Sequence, residues 1–183
     1  DENTFFSGNP PTCDPTLAGR FLCDAIGKRL TSSLGYTLLY DDRDNRIRPT
    51  RGQSLGVSQD FAGLGGSVKY IKTRINADKY WKPFGNFVFG LSFESGYIHP
   101  LENRGLAGID DVRLTDRFYL GEPQMRGFDI RGVGPRVQRI FQEGKIVNGV
   151  AVNNPITDRN QIQDDAIGGR FYYMGRAELQ IPL

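Results

Sequence analysis

The chain has 183 residues, of which 38% are hydrophobic and 24% charged, and its net charge at pH 7 is only +2. No run approaches the roughly 18 to 20 apolar residues that a transmembrane helix needs, and the first residues lack the basic and apolar regions of a signal peptide. Lysine and arginine form no block, so a nucleic-acid partner is not expected. The twelve Phe and eight Tyr residues favour strands, and a membrane β-barrel stays open because its alternating strands escape hydropathy analysis.

Five segments alternate apolar and polar residues with the period of two that strands require. In one of them Ile71 and Ile75 alternate with the charged Lys72 and Arg74, and a charged face of this kind does not suit a protein core. Gln59 is a polar residue inside the apolar face of its run, between Val57 and Phe61. The runs are longer than the roughly five or six residues usual in soluble sheets and fit tilted membrane-spanning strands. The predicted strands are residues 32–41, 53–61, 68–81, 87–98 and 170–181.

The connections provide a second argument, because antiparallel strands send alternate connections to opposite sides of a sheet. Residues 42–52 and 82–86 are short turns on one side. The two long segments, residues 1–31 and 99–169, fall on the other side. The small loop 62–67 falls on that side as well. Short periplasmic turns and long external loops are typical of outer-membrane barrels. The parity therefore predicts such a barrel, with the long segments outside the cell.

A soluble β-sandwich with one solvated face is the alternative to a barrel. It is disfavoured because aromatic residues crowd the apolar faces of the last two predicted strands, while the opposite faces carry charges and glycine. A sandwich also rarely tolerates an unstructured insertion of about 70 residues. In a barrel, Tyr80 and Trp81 would mark the periplasmic interface, where amphipathic rings settle.

The stretch from Val112 to Arg136 reads VRLTDRFYLGEPQMRGFDIRGVGPR. It resembles the signature of the BamA family of outer-membrane barrel assembly factors, in which a hydrophobic-Arg-Gly-Phe tetrapeptide follows a Phe-x-x-Gly element on a long external loop. Met125 stands where Val or Ile is usual, a change that conserves volume. The resemblance extends over roughly residues 33–183 and is closest to alphaproteobacterial members. The matching signature residues are Asp116, Phe118, Gly121, Met125, Arg126, Gly127 and Phe128.

The resemblance implies an all-β fold, an antiparallel transmembrane β-barrel of about sixteen strands, of which this chain would hold about five. The smallest outer-membrane barrels have about eight strands, so the chain is expected to be a fragment of the barrel domain, without the POTRA domains that precede the barrel in this family. The expected organisation is an external loop at 1–31, four strands in 32–98, a long external loop folded into the lumen at 99–169, and the fifth strand at 170–183.

The resemblance also assigns roles within the signature loop. A guanidinium in a barrel lumen needs carboxylate or carbonyl partners. The family pairs the signature arginine with a glutamate, here Arg126 with Glu178 on the lumen-facing phase of the last strand. Glu94 is a secondary partner, proposed from its phase alone. Gly127 would permit the turn at the loop tip, and Phe128 would anchor the tip against the inner wall. The alternative for Arg126 is an exposed loop arginine.

The function implied by the resemblance is the assembly and insertion of β-barrel proteins in the outer membrane of Gram-negative bacteria, as the core subunit of the Bam complex. This task is mechanical, so neither an enzymatic activity nor a cofactor is expected. The partners would be nascent outer-membrane β-barrel proteins, outer-membrane lipid and lipopolysaccharide, and accessory lipoproteins bound through periplasmic domains. A translocation-and-assembly-module protein or a two-partner secretion translocator is the alternative. A porin or passive surface antigen is disfavoured by the folded-in loop.

Signs of other chemistry are sparse. His99 is the only histidine, which disfavours a histidine metal site or a Ser-His-Asp arrangement. Three aspartates between 41 and 44 lack the glycine and glutamate spacing of a calcium loop, so no metal is expected. Cys13 and Cys23 lie ten residues apart in a segment predicted to be outside the cell, where thiols oxidise. A disulfide that staples this loop is expected, and two free thiols are the alternative.

Overall fold

The computed structural model describes residues 6–7, 12–13, 23, 25–26, 28–105, 110–139, 142–147, 150–155 and 163–181. Two units can be distinguished, a sheet unit of residues 28–112 and 170–183, and a loop unit of residues 1–27 and 113–169. No helix in the described part is long and apolar enough to cross a membrane. The strands in the described residues are β1 (Phe6–Ser7), β2 (Thr12–Cys13), β3 (Ser33–Asp41), β4 (Gly52–Ala62), β5 (Tyr70–Trp81), β6 (Val88–Pro100), β7 (Arg136–Arg139), β8 (Gln142–Val147), β9 (Val150–Pro155), β10 (Gln163–Ala166) and β11 (Phe171–Gln180).

The sheet unit is a five-stranded antiparallel sheet in the order β11-β6-β5-β4-β3. Its strands correspond to the five predicted from alternation, so the predicted all-β antiparallel fold is confirmed. The register keeps the apolar phases together, because Leu38 pairs with Val57 and Val57 with Ile75 across three strands. The next partner is Ser95, which pairs with Tyr173 on β11. The sheet therefore has one apolar face and one polar face.

The apolar face is exposed over most of its area. Leu34 and Leu38 on β3 are 67% and 65% exposed, and Leu91 and Phe93 on β6 are exposed as well. Soluble monomers rarely present contiguous apolar patches larger than a few hundred Å². A face of this extent requires an apolar environment or a covering partner.

Gln59, the polar residue that interrupts the apolar face of β4, is satisfied by its neighbours across the sheet. The hydroxyl of Tyr36 donates to Gln59 Oε1 at 2.8 Å. Gln59 Nε2 in turn donates to the hydroxyl of Thr73 at 3.1 Å. An amide on an apolar face is costly unless it is hydrogen-bonded, and these two bonds remove most of that cost. The break in the alternation is therefore compatible with the register.

The polar face of the sheet carries a buried apolar residue near the end of β6. Ile98 is completely buried, and its backbone N–H donates to Arg170 O at 2.8 Å. Val68 and Val112 are also buried.

At the end of the sheet where β5 finishes, the ring of Tyr80 lies on the polar face over Gly90, where an added Cβ atom would stand 2.9 Å from Cε1 of the ring. Tyr80 and Trp81 were both predicted to mark the periplasmic interface of the membrane, but only Trp81 shares the phase of the apolar face.

The turn between β3 and β4 is organised by Asp44. Its carboxylate accepts from the Thr50 hydroxyl at 2.6 Å, from the Thr50 N–H at 2.8 Å and from the Arg51 N–H at 3.1 Å. Asp41 forms two hydrogen bonds with the guanidinium of Arg43, at 2.8 and 3.0 Å. Two of the three aspartates considered for calcium, Asp41 and Asp44, therefore serve as acceptors within the turn itself.

The Asp44 turn provides a pH-dependent prediction. Hydrogen bonds from Thr50 and Arg51 favour the ionised carboxyl and hold the pKa of Asp44 well below its usual value of 3.8. Because the pKa is lowered, the ionised carboxyl stabilises the turn fully at any pH above 3.8, the usual pKa. This stabilisation is lost only as the pH falls towards the lowered pKa of the folded state. In the full-length protein with selectively labelled threonine, the NMR shift of the Thr50 amide should therefore stay constant down to about pH 3. A transition near 3.8 would contradict the hydrogen-bonded turn, and Asp44→Asn, which cannot ionise, provides the baseline.

The loop unit contains short paired strands instead of the unstructured insertion expected from the sequence. β7 pairs with β10, and β8 pairs with β9, both antiparallel. β1 pairs with β2 near the start of the chain. Cys13, the last residue of β2, is joined to Cys23 by a disulfide with a Cα–Cα distance of 5.5 Å. The expected pairing of the two cysteines is therefore present in the structure.

Candidate functional site

The signature loop is closed at its base by Phe118 and Gly169. The N–H of each residue donates to the carbonyl of the other at 2.9 Å, which makes an isolated antiparallel bridge. A second bridge lies further along the loop, where the Val133 N–H donates to Leu120 O at 3.1 Å. These bonds tie residues 118–133 to the segment just before β11. The loop is thus a folded element held by backbone pairing.

Gly168 lies directly against this base. A Cβ atom at Gly168 would stand 2.6 Å from the carbonyl oxygen of Phe118 and 3.0 Å from the ring of Tyr119. Its φ of +61° is in the left-handed region, which side chains rarely adopt. Only glycine fits both the space and the backbone conformation at this position.

Arg117, which the sequence analysis did not single out, is among the most buried charged residues described. It is 7% exposed, and its Nη1 donates to Ile167 O at 3.1 Å, fifty positions along the chain. The neighbouring Tyr119 donates its hydroxyl to Leu114 O at 2.8 Å. The guanidinium of Arg131 lies over the Tyr119 ring, 4.7 Å from its centroid, in cation–π geometry. Burial raises the pKa of Tyr119, although Arg131 and Arg117 oppose the shift, so the hydroxyl stays a donor at neutral pH.

Gly121, the glycine of the Phe-x-x-Gly element, lets the two arms of the loop approach closely. Its φ is +154°, and a Cβ atom there would stand 2.3 Å from Asp129 O. That same carbonyl accepts from the Gly132 N–H at 2.8 Å and from the Glu122 N–H at 3.4 Å. The Met125 N–H donates to Gly121 O at 2.9 Å. The turn that carries the tetrapeptide is therefore built on Gly121 and the carbonyl of Asp129.

The tetrapeptide occupies the exposed tip of this turn. Arg126 and Gly127 are exposed, Phe128 is 49% exposed, and Met125 is half-buried. Gly127 has a φ of +86° with no atom within 4 Å of an added Cβ, so its backbone conformation, and not crowding, calls for glycine. The tip thus presents a cation and an aromatic ring on a tight turn. The predicted anchoring of Phe128 against an inner wall stays a prediction.

The polar face of the sheet unit forms a groove of about 360 Å³ that carries charges of both signs. Tyr172 is buried, and its hydroxyl donates to the carboxylate of Glu94. Ser54 donates to Asp78 Oδ2 at 3.0 Å across β4 and β5. Residues lining the groove include Arg74, Asn76, Asp78, Glu94 and Arg176. This face therefore offers carboxylates to a cation and guanidinium groups to an anion.

Glu178, the predicted partner of Arg126, is on β11 with its side chain 54% exposed. Its Oε1 lies 3.9 Å from Nε of Arg176, which is a loose ion pair. Arg126 belongs to the loop unit and Glu178 to the sheet unit. The pairing of Arg126 with Glu178 stays a prediction, as does the secondary role of Glu94, whose described partner is Tyr172.

Taken together, the alternating sheet and the closed signature loop define the chain as part of a membrane β-barrel. The family model of the Omp85 superfamily domain matches residues 6–183. The chain belongs to the Omp85 superfamily. This membership assigns the sheet to an outer-membrane barrel, with the apolar face towards lipid and the polar face towards the lumen.

Similar proteins come from bacteria and from animals. The chain is 30% identical over 160 residues to the outer membrane protein assembly factor BamA of Neorickettsia risticii, covering 87% of this chain and 18% of that protein. It is 31% identical over 159 residues to the human sorting and assembly machinery component 50 homolog, covering 86% of this chain and 27% of that protein. The chain thus spans less than a third of the length of these relatives.

Proposed function

We propose that the protein containing this chain assembles and inserts β-barrel proteins in an outer membrane. The observation that carries the proposal is the signature loop, which is closed by the Phe118–Gly169 bridge and presents Arg126 on a tight turn, in a chain of the Omp85 superfamily. Both relatives described above are named for assembly, one of outer membrane proteins and one as part of a sorting and assembly machinery. Neither a catalytic residue nor a cofactor enters this proposal.

The work of such a protein is mechanical. A barrel seam that parts exposes the unpaired N–H and C=O groups of an edge strand, and these can template the strands of a client by β-augmentation. The role assigned to this chain is to keep the rest of the wall in shape. The loop scaffold around Gly121 and Gly168 would hold Arg126 in a fixed position, and Glu178 on the lumen face would receive it. The clients are nascent outer-membrane β-barrel proteins.

We place the protein in the bacterial outer membrane, as the core of a Bam complex with accessory lipoproteins, POTRA domains and lipopolysaccharide as its surroundings. Support comes from the alphaproteobacterial character of residues 33–98. The long segments would face outwards, and the turns at 42–51 and 82–87 would face the periplasm. An orientation of this kind follows from the usual difference in connection length between the two ends of bacterial barrels.

The test is depletion of the full-length protein in its own cell, followed by quantification of many unrelated outer-membrane barrels. A general loss of barrels, with misfolded precursors in the periplasm, is expected. Re-expression of the wild-type protein should restore them, whereas Arg126→Ala should restore them only in part. Loss of a single secreted substrate, with normal barrel levels, would instead identify a two-partner secretion translocator. A defect confined to a few barrels would favour a translocation-and-assembly-module protein.

A further inference from the structure

We propose that the lipid-facing side of the sheet holds an anionic phospholipid, whose phosphate is bound by Lys79 and Arg51. The inference is independent of the assembly function, since it concerns only the outer wall of the barrel. A groove of about 330 Å³ lies on this side of the sheet. Its lining on the apolar phase includes Tyr40, Leu55, Lys79, Leu91 and Phe93, and Asp78, which also lines it, accepts a hydrogen bond from Ser54. The groove thus has an apolar floor for an acyl chain and one cationic end.

Lys79 is the charged exception on this face. Among the described positions of β3, β4, β5, β6 and β11 that share the apolar phase, no other Asp, Glu, Lys or Arg occurs. Its cross-strand neighbours are Gln53 and Leu91. A lysine on the lipid face of a barrel is destabilising unless its long stem carries the ammonium to the headgroup layer. Since Lys79 is two residues from the end of β5, it is within reach of that layer.

Arg51 supplies a second cation at this end of the sheet. It immediately precedes β4, two positions before Gln53, and backbone pairing with the preceding turn continues there, because the Asp44 N–H donates to Arg51 O at 3.1 Å. Both side chains are exposed, and neither charged group forms an ion pair with a carboxylate of the described residues. Trp81, the next outward residue after Lys79, packs on Phe89 with ring centroids 4.8 Å apart. Aromatic rings of this kind mark the membrane interface, where lipid phosphates lie.

The charge at this end of the sheet favours an anion. Residues 41–51 and 79–87 contain four arginines and two lysines against three aspartates, a net charge of +3, whereas the whole chain carries only +2. Asp44 accepts hydrogen bonds within the turn, and Asp41 pairs with Arg43, one of the four arginines. An acidic protein would be attracted by the same charge. An acidic protein would not account for the apolar floor of the groove, whereas a phospholipid accounts for both the floor and the charge.

The experiment compares lipid binding by full-length protein reconstituted in nanodiscs of phosphatidylcholine and phosphatidylglycerol in equal amounts. Native mass spectrometry then counts the lipids that stay bound. We expect a preference for phosphatidylglycerol that falls roughly fivefold with Lys79→Gln and about 25-fold when Arg51→Gln is added, the effect of losing one and two interfacial cations. Lys69→Gln removes the same charge at the other end of β5 and should keep the preference. Heat-modified gel mobility confirms that each variant is folded.

Three results would overturn the proposal. Two come from the nanodiscs: a folded Lys79→Gln, Arg51→Gln variant that retains the phosphatidylglycerol preference, and a wild-type protein that shows none. The third comes from a photoreactive amino acid placed at Gln53 and activated in cells. A small mass increase, corresponding to one phospholipid, supports the site. A protein adduct that disappears when Lys79 and Arg51 are neutralised would show that the surface binds an acidic protein instead.

Discussion

Gly168→Ala is expected to destabilise the full-length protein by roughly 2 to 5 kcal/mol, because a single methyl group meets two obstacles. The φ of +61° places the residue in the left-handed region, where a side chain costs about 1 to 2 kcal/mol. The added carbon would also stand 2.6 Å from the carbonyl oxygen of Phe118, and overpacking of this kind costs typically about 1 to 3 kcal/mol. The neighbour is backbone and cannot move without breaking the bridge to Gly169. The urea midpoint of the refolded protein measures the loss.

Two other glycines separate these contributions. Gly105 has the same φ of +61°, but nothing lies within 4 Å of an added Cβ, so Gly105→Ala should show only the backbone cost. Gly175 on β11 has neither a positive φ nor a neighbour within that distance, and Gly175→Ala should be close to neutral. Limited proteolysis within residues 118–133 should increase only for Gly168→Ala. Equal losses for Gly168→Ala and Gly105→Ala would show that the loop base is not closely packed.

The sheet could be predicted from the sequence because its determinants are local. Alternation with a period of two fixes which face each residue of a strand takes, and the order of short and long connections fixes which end each turn takes. Gln59 breaks the alternation, and the sequence alone did not identify its hydrogen-bond partners. Tyr36 and Thr73 are recognised as these partners only when the register of the strands is known. The phase of Lys79 was likewise readable, but its isolation on the apolar face emerged only from the assembled sheet.

The loop unit was less predictable because its contacts join residues far apart in the chain. Arg117 finds its acceptor at Ile167, and no periodicity links two positions separated by fifty residues. Arg131, whose guanidinium lies over the Tyr119 ring, has a positive φ of 58°, which is uncommon for a residue other than glycine. One signal was present: Asn148-Gly149 separates β8 from β9, and Asn-Gly is typical of two-residue hairpin turns.

Arg126→Ala is expected to lower both the stability of the barrel and the level of outer-membrane proteins in the cell. If Glu178 receives the guanidinium in the lumen, water is largely excluded from the pair and loss of one partner costs about 3 to 5 kcal/mol. Adding Glu178→Ala should then cost little more, since the charge left unpaired has also been removed. Urea midpoints of the two single variants and the double variant provide the coupling free energy. A surface pair would contribute at most about 1 kcal/mol, so the size of the coupling reports whether the lumen buries the pair.

Arg126→Lys is the matched control, because it keeps the charge and loses the planar fork that binds a carboxylate through two hydrogen bonds. An intermediate loss is expected, smaller than for alanine. Glu178→Gln keeps the shape of the side chain and removes its charge, and it should match Glu178→Ala if the charge is what matters. If the losses of stability in the two single variants simply add in the double variant, Arg126 and Glu178 do not interact. The same cycle with Glu94→Gln would then show whether Glu94, held by the Tyr172 hydroxyl, is the carboxylate that Arg126 uses.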